Sequence, residues 1–434
     1  MRVAVVGAGL AGSTLAALLS ERGHDVDVYE LRADPRTTPS EDRSINLGIS
    51  ARGIRTLRRI GLWDALGPSL VPMRGRAIHR PDGRSIFTPY GTDPSEILYS
   101  VRRSELNGRL IERAGTARFH FGMRCTGLSG GVLSLTDTAT GRTCEQRPDL
   151  VIGADGAFSA VRRFMQHGTP ADYRQEFLEW GYKELTIPPG APIPLEALNI
   201  WPSAHGLIVA HPNADGSHTG TLFLPHDGRP SFASLDSAQA VQAFFRENFP
   251  QVPELIPDLL DQFGRRPVAH LVTVRTSPWY SGDGTVLVGD AAHAVYPFYG
   301  QGMNSSLEDC LILDDCLERH GATRAGRAAA LAEFQQKRKP HTDVLAELSA
   351  RNFVELRDGT RSPLRLARNR ADRALARLFP RTWLPLYTMV SHTTIPYAEA
   401  LQRARRQDRA LGIAAGTVTA AVGIGAVATV CLRR

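Results

Sequence analysis

The stretch that most limits how this chain can fold is its first thirty residues. Arg2 to Val6 is a short run of strand type, and it passes at once into Gly7-Ala8-Gly9-Leu10-Ala11-Gly12 and a helix-forming segment to Ser20. In such a setting each glycine of G-x-G-x-x-G has a task. The first allows a tight turn, the second lets backbone approach a pyrophosphate, and the third lets helix and strand pack closely. The helix start then offers free N–H groups to phosphate oxygens. A second strand, Asp25 to Glu30, ends in a carboxylate 18 residues beyond Gly12, where it can accept from the hydroxyls of an adenosine ribose. Glu30, rather than an arginine, at this place points to a ribose without phosphate.

Two further glycine turns follow apolar strands. One is LVIGADGAFSAVR from Leu150, with Asp155-Gly156 at its turn; the other is VLVGDAAHAVYPFYGQGMN, residues 286 to 304, with Gly289-Asp290 and Gly300-Gln301-Gly302. A carboxylate at a strand end and glycines at a helix start suit a large polar cofactor. Three such turns spread over the chain predict one discontinuous α/β domain of Rossmann type wrapped around an extended molecule. Between the last two, YKELTI, LNIW, GLIVAH, GTLFL and HLVTVRT read as short strands of an inserted, mainly antiparallel sheet. After about residue 305 the pattern is helical. The expected division is a cofactor domain at 1–72, 100–175 and 276–320, a substrate domain at 73–99 and 176–275, a helical region at 321–410, and an apolar tail at 411–432.

Composition excludes several classes. With 434 residues, 42% of them hydrophobic, the chain can bury a large shared core, and disorder is not expected. Its five cysteines contain no C-x-x-C, so neither a disulfide framework nor a metal site is expected. No signal-peptide pattern precedes the first strand, which places the body in the cytosol or facing it. The net charge of +7 comes from residues 351 to 410, which hold thirteen arginines against five acidic residues. Arg361, Arg365, Arg368, Arg373 and Arg377 interleave with Leu and Ala like the wet side of amphipathic helices. No nucleic-acid motif accompanies them. From Leu411 to Leu432 there are 22 uncharged residues, about 33 Å as a helix and near the ~30 Å of a bilayer core. Its Ala, Gly, Val and Thr content leaves two readings open, a membrane anchor or a small-residue helix packed on the protein.

The three turns together resemble those of the single-component flavoprotein aromatic hydroxylases. SINLGISARGI (44–54), PMRGR (72–76), PYGT (89–92), GYKELTIPP (181–189), YPFYGQGMN (296–304) and PLYTMV (385–390) are similar, in order and spacing, to the kynurenine-hydroxylating branch. The resemblance runs from residue 1 to about 400, and the apolar tail sits where mitochondrial members carry a membrane segment. It implies tightly held FAD, NADPH as transient reductant, O2 as co-substrate, and 3-hydroxylation of L-kynurenine through a C4a-hydroperoxyflavin, within tryptophan degradation toward pyridine nucleotides. It also implies roles. Gly7, Gly9 and Gly12 would face the pyrophosphate, Glu30 the adenosine ribose, Arg32 and Arg103 polar parts of the cofactor, and Asp290 its ribityl region. Backbone at Met303 and Asn304 would face the isoalloxazine, with Ala11, Tyr29, Leu31, Gly48, Cys125, Asp155 and Gly302 also at the cofactor. Arg76 and Tyr90 would take the substrate carboxylate, Asn352 and Tyr387 complete the pocket, and Pro297, Phe298 and Gln301 form the wall between the two ligands.

No protein nucleophile or acid–base residue is expected, since the protein's task is positioning and water exclusion. His293, inside GDAAHA, reads as packing. Two positions depart from the family pattern: Tyr299 stands where Phe is usual and Gly48 where Ala is usual. The alternatives are a flavin hydroxylase for another aromatic acid and a membrane-bound flavin scaffold without turnover. A halogenase is disfavoured, because W-x-W-x-I-P is absent and lysine occurs only at 183, 337 and 339.

Overall fold

The computed structural model describes residues 1–37, 46–282, 284–358, 371–372, 374–380 and 382–411. The apolar tail beyond Leu411 lies outside them, as do Arg361, Arg365, Arg368 and Arg373. Among the described residues no helix is long and apolar enough to cross a membrane.

A six-stranded sheet forms one half of the molecule. Arg2–Val6 is flanked by Asp25–Glu30 and Leu150–Gly153, with Arg118–Phe121 beyond the first and Thr285–Leu287 then Tyr280–Ser281 beyond the second. All pairings are parallel except the last. Parallel central strands are covered on both faces, so they read as unbroken apolar runs: Val3, Val5, Val151, Ile152, Val286 and Leu287 are each at most 2% exposed. Helices Leu10–Glu21 and Gly302–His320 belong to the same core.

The other half is a seven-stranded sheet in the order Ala269–Ser277, Asp172–Ile187, His218–Pro225, Leu207–Pro212, Ala197–Pro202, Gly75–His79, Ser85–Pro89. Only the pairing of Ala197–Pro202 with Gly75–His79 is parallel. Successive side chains alternate between faces. Leu185, Trp201, Ile208, Ala210, Leu222 and Leu224 pack against Val241, Phe244, Phe245 and Phe263 of helices Ala238–Asn248 and Leu259–Arg265. Their alternates, Leu198, Ile200, Val209, Thr221 and Phe223, face a cavity.

Two parts of this fold have no element assigned in the sequence reading. Residues 123–146 form a three-stranded antiparallel meander, Met123–Ser129, Val132–Asp137 and Thr143–Gln146, turning at Gly130-Gly131 with φ of 57° and 76°. Residues 238–265, left unassigned between two expected strands, are largely helical because Val241, Phe244, Phe245 and Asn248 recur at helical spacing behind a Ser237 cap.

Candidate active site

The glycine loop is built from close approaches. Gly7 sits at φ +103°, and a Cβ there would meet the Ala154 carbonyl oxygen at 2.5 Å; a Cβ on Gly12 would lie 1.9 Å from the Gly7 oxygen. Gly9 differs, since a Cβ on it would meet nothing within 4 Å, and it opens into the cavity. Two glycines therefore close the turn and the third leaves a backbone cradle in front of the helix start. Glu30 holds this loop from the side: its carboxylate accepts from the backbone N–H groups of Ala8 at 2.7 Å and Arg32 at 2.9 Å.

The Gly289-Asp290 turn sits over a buried ionic network. Gly289 N–H donates to Asp309 at 3.1 Å, and His293 faces the same carboxylate at 2.5 Å. Arg338 donates to Asp309 and Glu308 at 2.6 Å each and also to Ser305, fixing the first turn of Gly302–His320. Arg52 approaches Glu308 at 3.3 Å and lies 3.9 Å from the Tyr397 ring centre. Burial raises the Asp309 carboxyl, but His293 and Arg338 outweigh it and hold the group below its ordinary value. His293 is therefore an internal partner of Asp309 and not a cavity residue. Arg162 ties two glycine turns together, donating to Ala291 O at 2.6 Å and Ala157 O at 2.7 Å.

Between the two sheets lies a cavity of about 420 Å³. Its cofactor side is lined by Gly9, Ala11, Arg103, Asp290, Gly302 and Met303, and its rim by Gly48. Asp290 opens into this space. Enclosure by protein pushes its carboxyl up, against the pull of Arg103 and His293, and it makes no hydrogen bond among the described residues. A carboxylate so placed, beside a helix start and an open glycine, fits the hydroxyls and diphosphate of FAD.

On the opposite side Arg76 stands from Gly75–His79, its guanidinium carbon 4.5 Å from the Tyr387 ring centre and 5.6 Å from that of Tyr90. No carboxylate of the described residues lies within hydrogen-bonding distance of Arg76. The Tyr90 hydroxyl is buried without a hydrogen-bond partner among the described residues, and burial pushes it above its ordinary value, so it stays a donor. Tyr387 comes from the short helix Leu386–Ser391, and Asn352 from Arg324–Asp358. The Asn352 amide donates to Phe298 O at 2.7 Å, steadying the Pro297–Tyr299 turn, whose Phe298 packs on Phe223 and Phe353.

The structure thus brings Arg76, Tyr90, Asn352, Tyr387, Pro297 and Phe298 to one cavity. It does not bring Gln301, which is 1% exposed and turned back to accept from Ser50 and Tyr397. Asn304 is also behind the surface; it accepts from Ser50 N and donates to the Gly48 and Gly300 carbonyls, clamping the rim loop to the helix start. Asp155 caps helix Ala160–Gln166, accepting from Ala160 N and Val161 N at 2.7 and 3.1 Å. Gly7, Gly12, Tyr29, Leu31, Arg32 and Cys125 lie outside the cavity lining. Burial pushes the Cys125 thiol up to about 11, so it acts as an apolar neighbour and not a nucleophile. Among the residues that sequence reasoning missed are Arg338 beneath the cavity and Phe223 and His211 on its wall. His211 was signalled by its place in GLIVAH, two residues after the inward Val209.

A parallel sheet with a glycine cradle, facing an antiparallel sheet across one cavity, is the architecture of a FAD-binding protein that encloses a second ligand. The model of the FAD binding domain family matches residues 1–187 and 247–349. A kynurenine 3-monooxygenase of Salinispora arenicola is 54% identical over 98% of this chain and 96% of the relative, and one of Myxococcus xanthus 42% over 94% and 89%. This chain belongs to the kynurenine 3-monooxygenase family. The solved tetrameric 2-methyl-3-hydroxypyridine-5-carboxylic acid oxygenase shares the fold, at 22% identity and a TM-score of 0.67 over 83% of this chain and 94% of that one.

Proposed function

We propose that this chain is an FAD-dependent monooxygenase that uses NADPH and O2 to convert L-kynurenine to 3-hydroxy-L-kynurenine. The observation that carries the substrate is Arg76, a half-buried cation on the cavity wall with no carboxylate partner among the described residues, set beside two tyrosines across the cavity from the glycine cradle. Bound FAD, reduced by NADPH, supplies the activated oxygen. The chain's residues do the rest. Gly7, Gly9 and Gly12 admit the diphosphate, Glu30 takes the adenosine ribose with Tyr29, Leu31, Arg32 and Cys125 around it, and Asp290 and Arg103 hold the ribityl region. Arg76 offers a two-donor fork to the amino-acid carboxylate and the Tyr90 hydroxyl a third donor, while Tyr387 and Asn352 fix the fork and the Phe298 turn. Phe223, Phe298 and Pro297 keep water from the reacting ring.

In domain terms, 1–72, 100–175 and 276–320 form the cofactor part and 73–99 and 176–275 the substrate part, joined through the long strand Asp172–Ile187. The tail at 411–432 supports contact with a membrane from its cytoplasmic face. Deleting 411–434 is then expected to move the protein from the membrane pellet to the soluble fraction with its flavin; a full-length protein that is already soluble removes the anchor.

The deciding experiment is NADPH oxidation with product analysis over a panel of aromatic acids. Kynurenine is expected to stimulate oxidation most and to yield the 3-hydroxy product. Equal stimulation by hydroxybenzoate or anthranilate would make this a hydroxylase of another acid, and a flavin band near 450 nm that NADPH and kynurenine fail to bleach would make it a scaffold.

A further inference from the structure

His211 is a titratable residue on the cavity wall with no part in the reading above. It lies on Leu207–Pro212 with its side chain on the same face as Val209, and it lines the cavity. Among the described residues its imidazole makes no hydrogen bond. The protein around it disfavours its charge, lowering its pKa to about 4, and so leaves a neutral imidazole with one donor and one acceptor nitrogen. An enclosed polar group without a partner is costly, and the space in front of it is the ligand's.

Strand register says which part of the ligand arrives there. Arg76 pairs with Leu198, and Asn199 pairs with Ala210, so Leu198 and His211 are the next neighbours along; His211 pairs with Thr219. Arg76, Leu198 and His211 therefore form one row across the sheet on the cavity face. Two strand spacings put the Cα atoms of Arg76 and His211 about 10 Å apart. In an amino acid bearing an ortho-aminophenyl ketone, six bonds separate the carboxylate carbon from the ring nitrogen, roughly 7 Å when extended. With its carboxylate on the Arg76 fork, such a molecule lies along the row over Leu198, and its amine ends at the imidazole.

We propose that His211 is a substrate-positioning residue, accepting a hydrogen bond from the ring amine of a substrate whose carboxylate is held by Arg76. This rests on the substrate reading above. It fixes the ring's rotation, and so which of its two edges faces the cofactor.

The test is equilibrium binding to the oxidised holoenzyme, followed by perturbation of the flavin spectrum, with L-kynurenine and with its analogue lacking the ring amine. In the unmodified protein kynurenine is expected to bind several-fold to about tenfold more tightly than the analogue. In His211→Leu that preference is expected to vanish, kynurenine weakening by the same factor while the analogue's Kd stays unchanged. His211→Asn, which keeps an acceptor, is expected to restore part of it. A His211→Leu protein that binds both ligands as before, or weakens both alike, overturns the proposal, and so does one that releases FAD. Failure of the unmodified protein to bind either ligand would overturn the substrate reading instead, while weak binding of both in Arg76→Lys with the preference intact supports the row.

Discussion

Replacing Arg76 separates ligand recognition from stability. The guanidinium faces the cavity, lies 4.5 Å from the Tyr387 ring centre and has no carboxylate partner in the described protein; burial works against its charge, but the Tyr387 and Tyr90 phenols outweigh it and hold the group above its ordinary value. Arg76→Lys keeps the charge but replaces the planar fork with a point donor. Losing one charge-assisted hydrogen bond costs about 1.5–3 kcal/mol, or roughly a ten- to 150-fold rise in the kynurenine Kd. Arg76→Met removes the charge altogether. It is expected to abolish kynurenine binding and yet leave the ligand-free protein close to its original stability, since the change leaves no carboxylate of the described residues buried and unpaired. Flavin-to-protein ratio, a kynurenine titration of the flavin spectrum and urea unfolding without substrate give the three readings. Bound FAD is expected to be unchanged in both variants. An unaltered kynurenine Kd in Arg76→Lys would remove Arg76 from the site, and a large loss of stability in Arg76→Met would mean that its charge is satisfied within the protein.

Gly12→Ala places a Cβ 1.9 Å from the Gly7 oxygen, so the protein is expected to purify without flavin or not to fold; a yellow, stable Gly12→Ala would refute the packing of the loop. Asp309→Asn breaks a buried set of partners that includes Arg338 and Gly289 N–H, with an expected cost of about 3–5 kcal/mol in urea unfolding and weaker flavin retention; an unmoved midpoint argues against the network. His392, like His211, is lowered by burial from 6.5 to about 4. Between those values the unfolded chain takes up protons that the folded chain does not, so stability present above pH 6.5 is lost as pH falls toward 4, by at most about 3 kcal/mol per histidine. His392→Gln is expected to flatten the change in urea midpoint between about pH 7 and 4.5, and an equal slope in the variant would show that His392 is not one of the groups responsible.

How much of this could be read in advance depends on whether the cause was local. Gly7, Gly9 and Gly12 act within one turn, and Val3 to Val6 is a buried run whatever it pairs with, so the strand-turn-helix was legible. The alternating strands between 182 and 276 likewise carried their own signal. Arg338 did not: it lies in a helix of mixed polarity, and only the packing of Arg324–Asp358 on Gly302–His320 brings it to Asp309. Gln301 failed for the opposite reason. Its neighbours in the motif line the cavity, but the turn at Gly300, with φ +67°, swings the next side chain inward to Ser50. The meander at 123–146 and the helices at 238–265 did leave local signals, a Gly-Gly hairpin and i, i+3, i+4 apolar spacing, which the stronger strands on either side outweighed.

The seven-stranded sheet divides its duties between odd and even positions. Ile208, Ala210, Leu222 and Leu224 belong to the helix-covered face, while Val209, His211, Thr221 and Phe223 line the cavity. A change at one of the latter alters the shape or polarity of the cavity without touching the packing behind it. Chemical selectivity and structural integrity are thereby carried by different residues of the same strands. Such a wall can drift toward new aromatic substrates by single replacements while the framework that presents it stays under separate constraint.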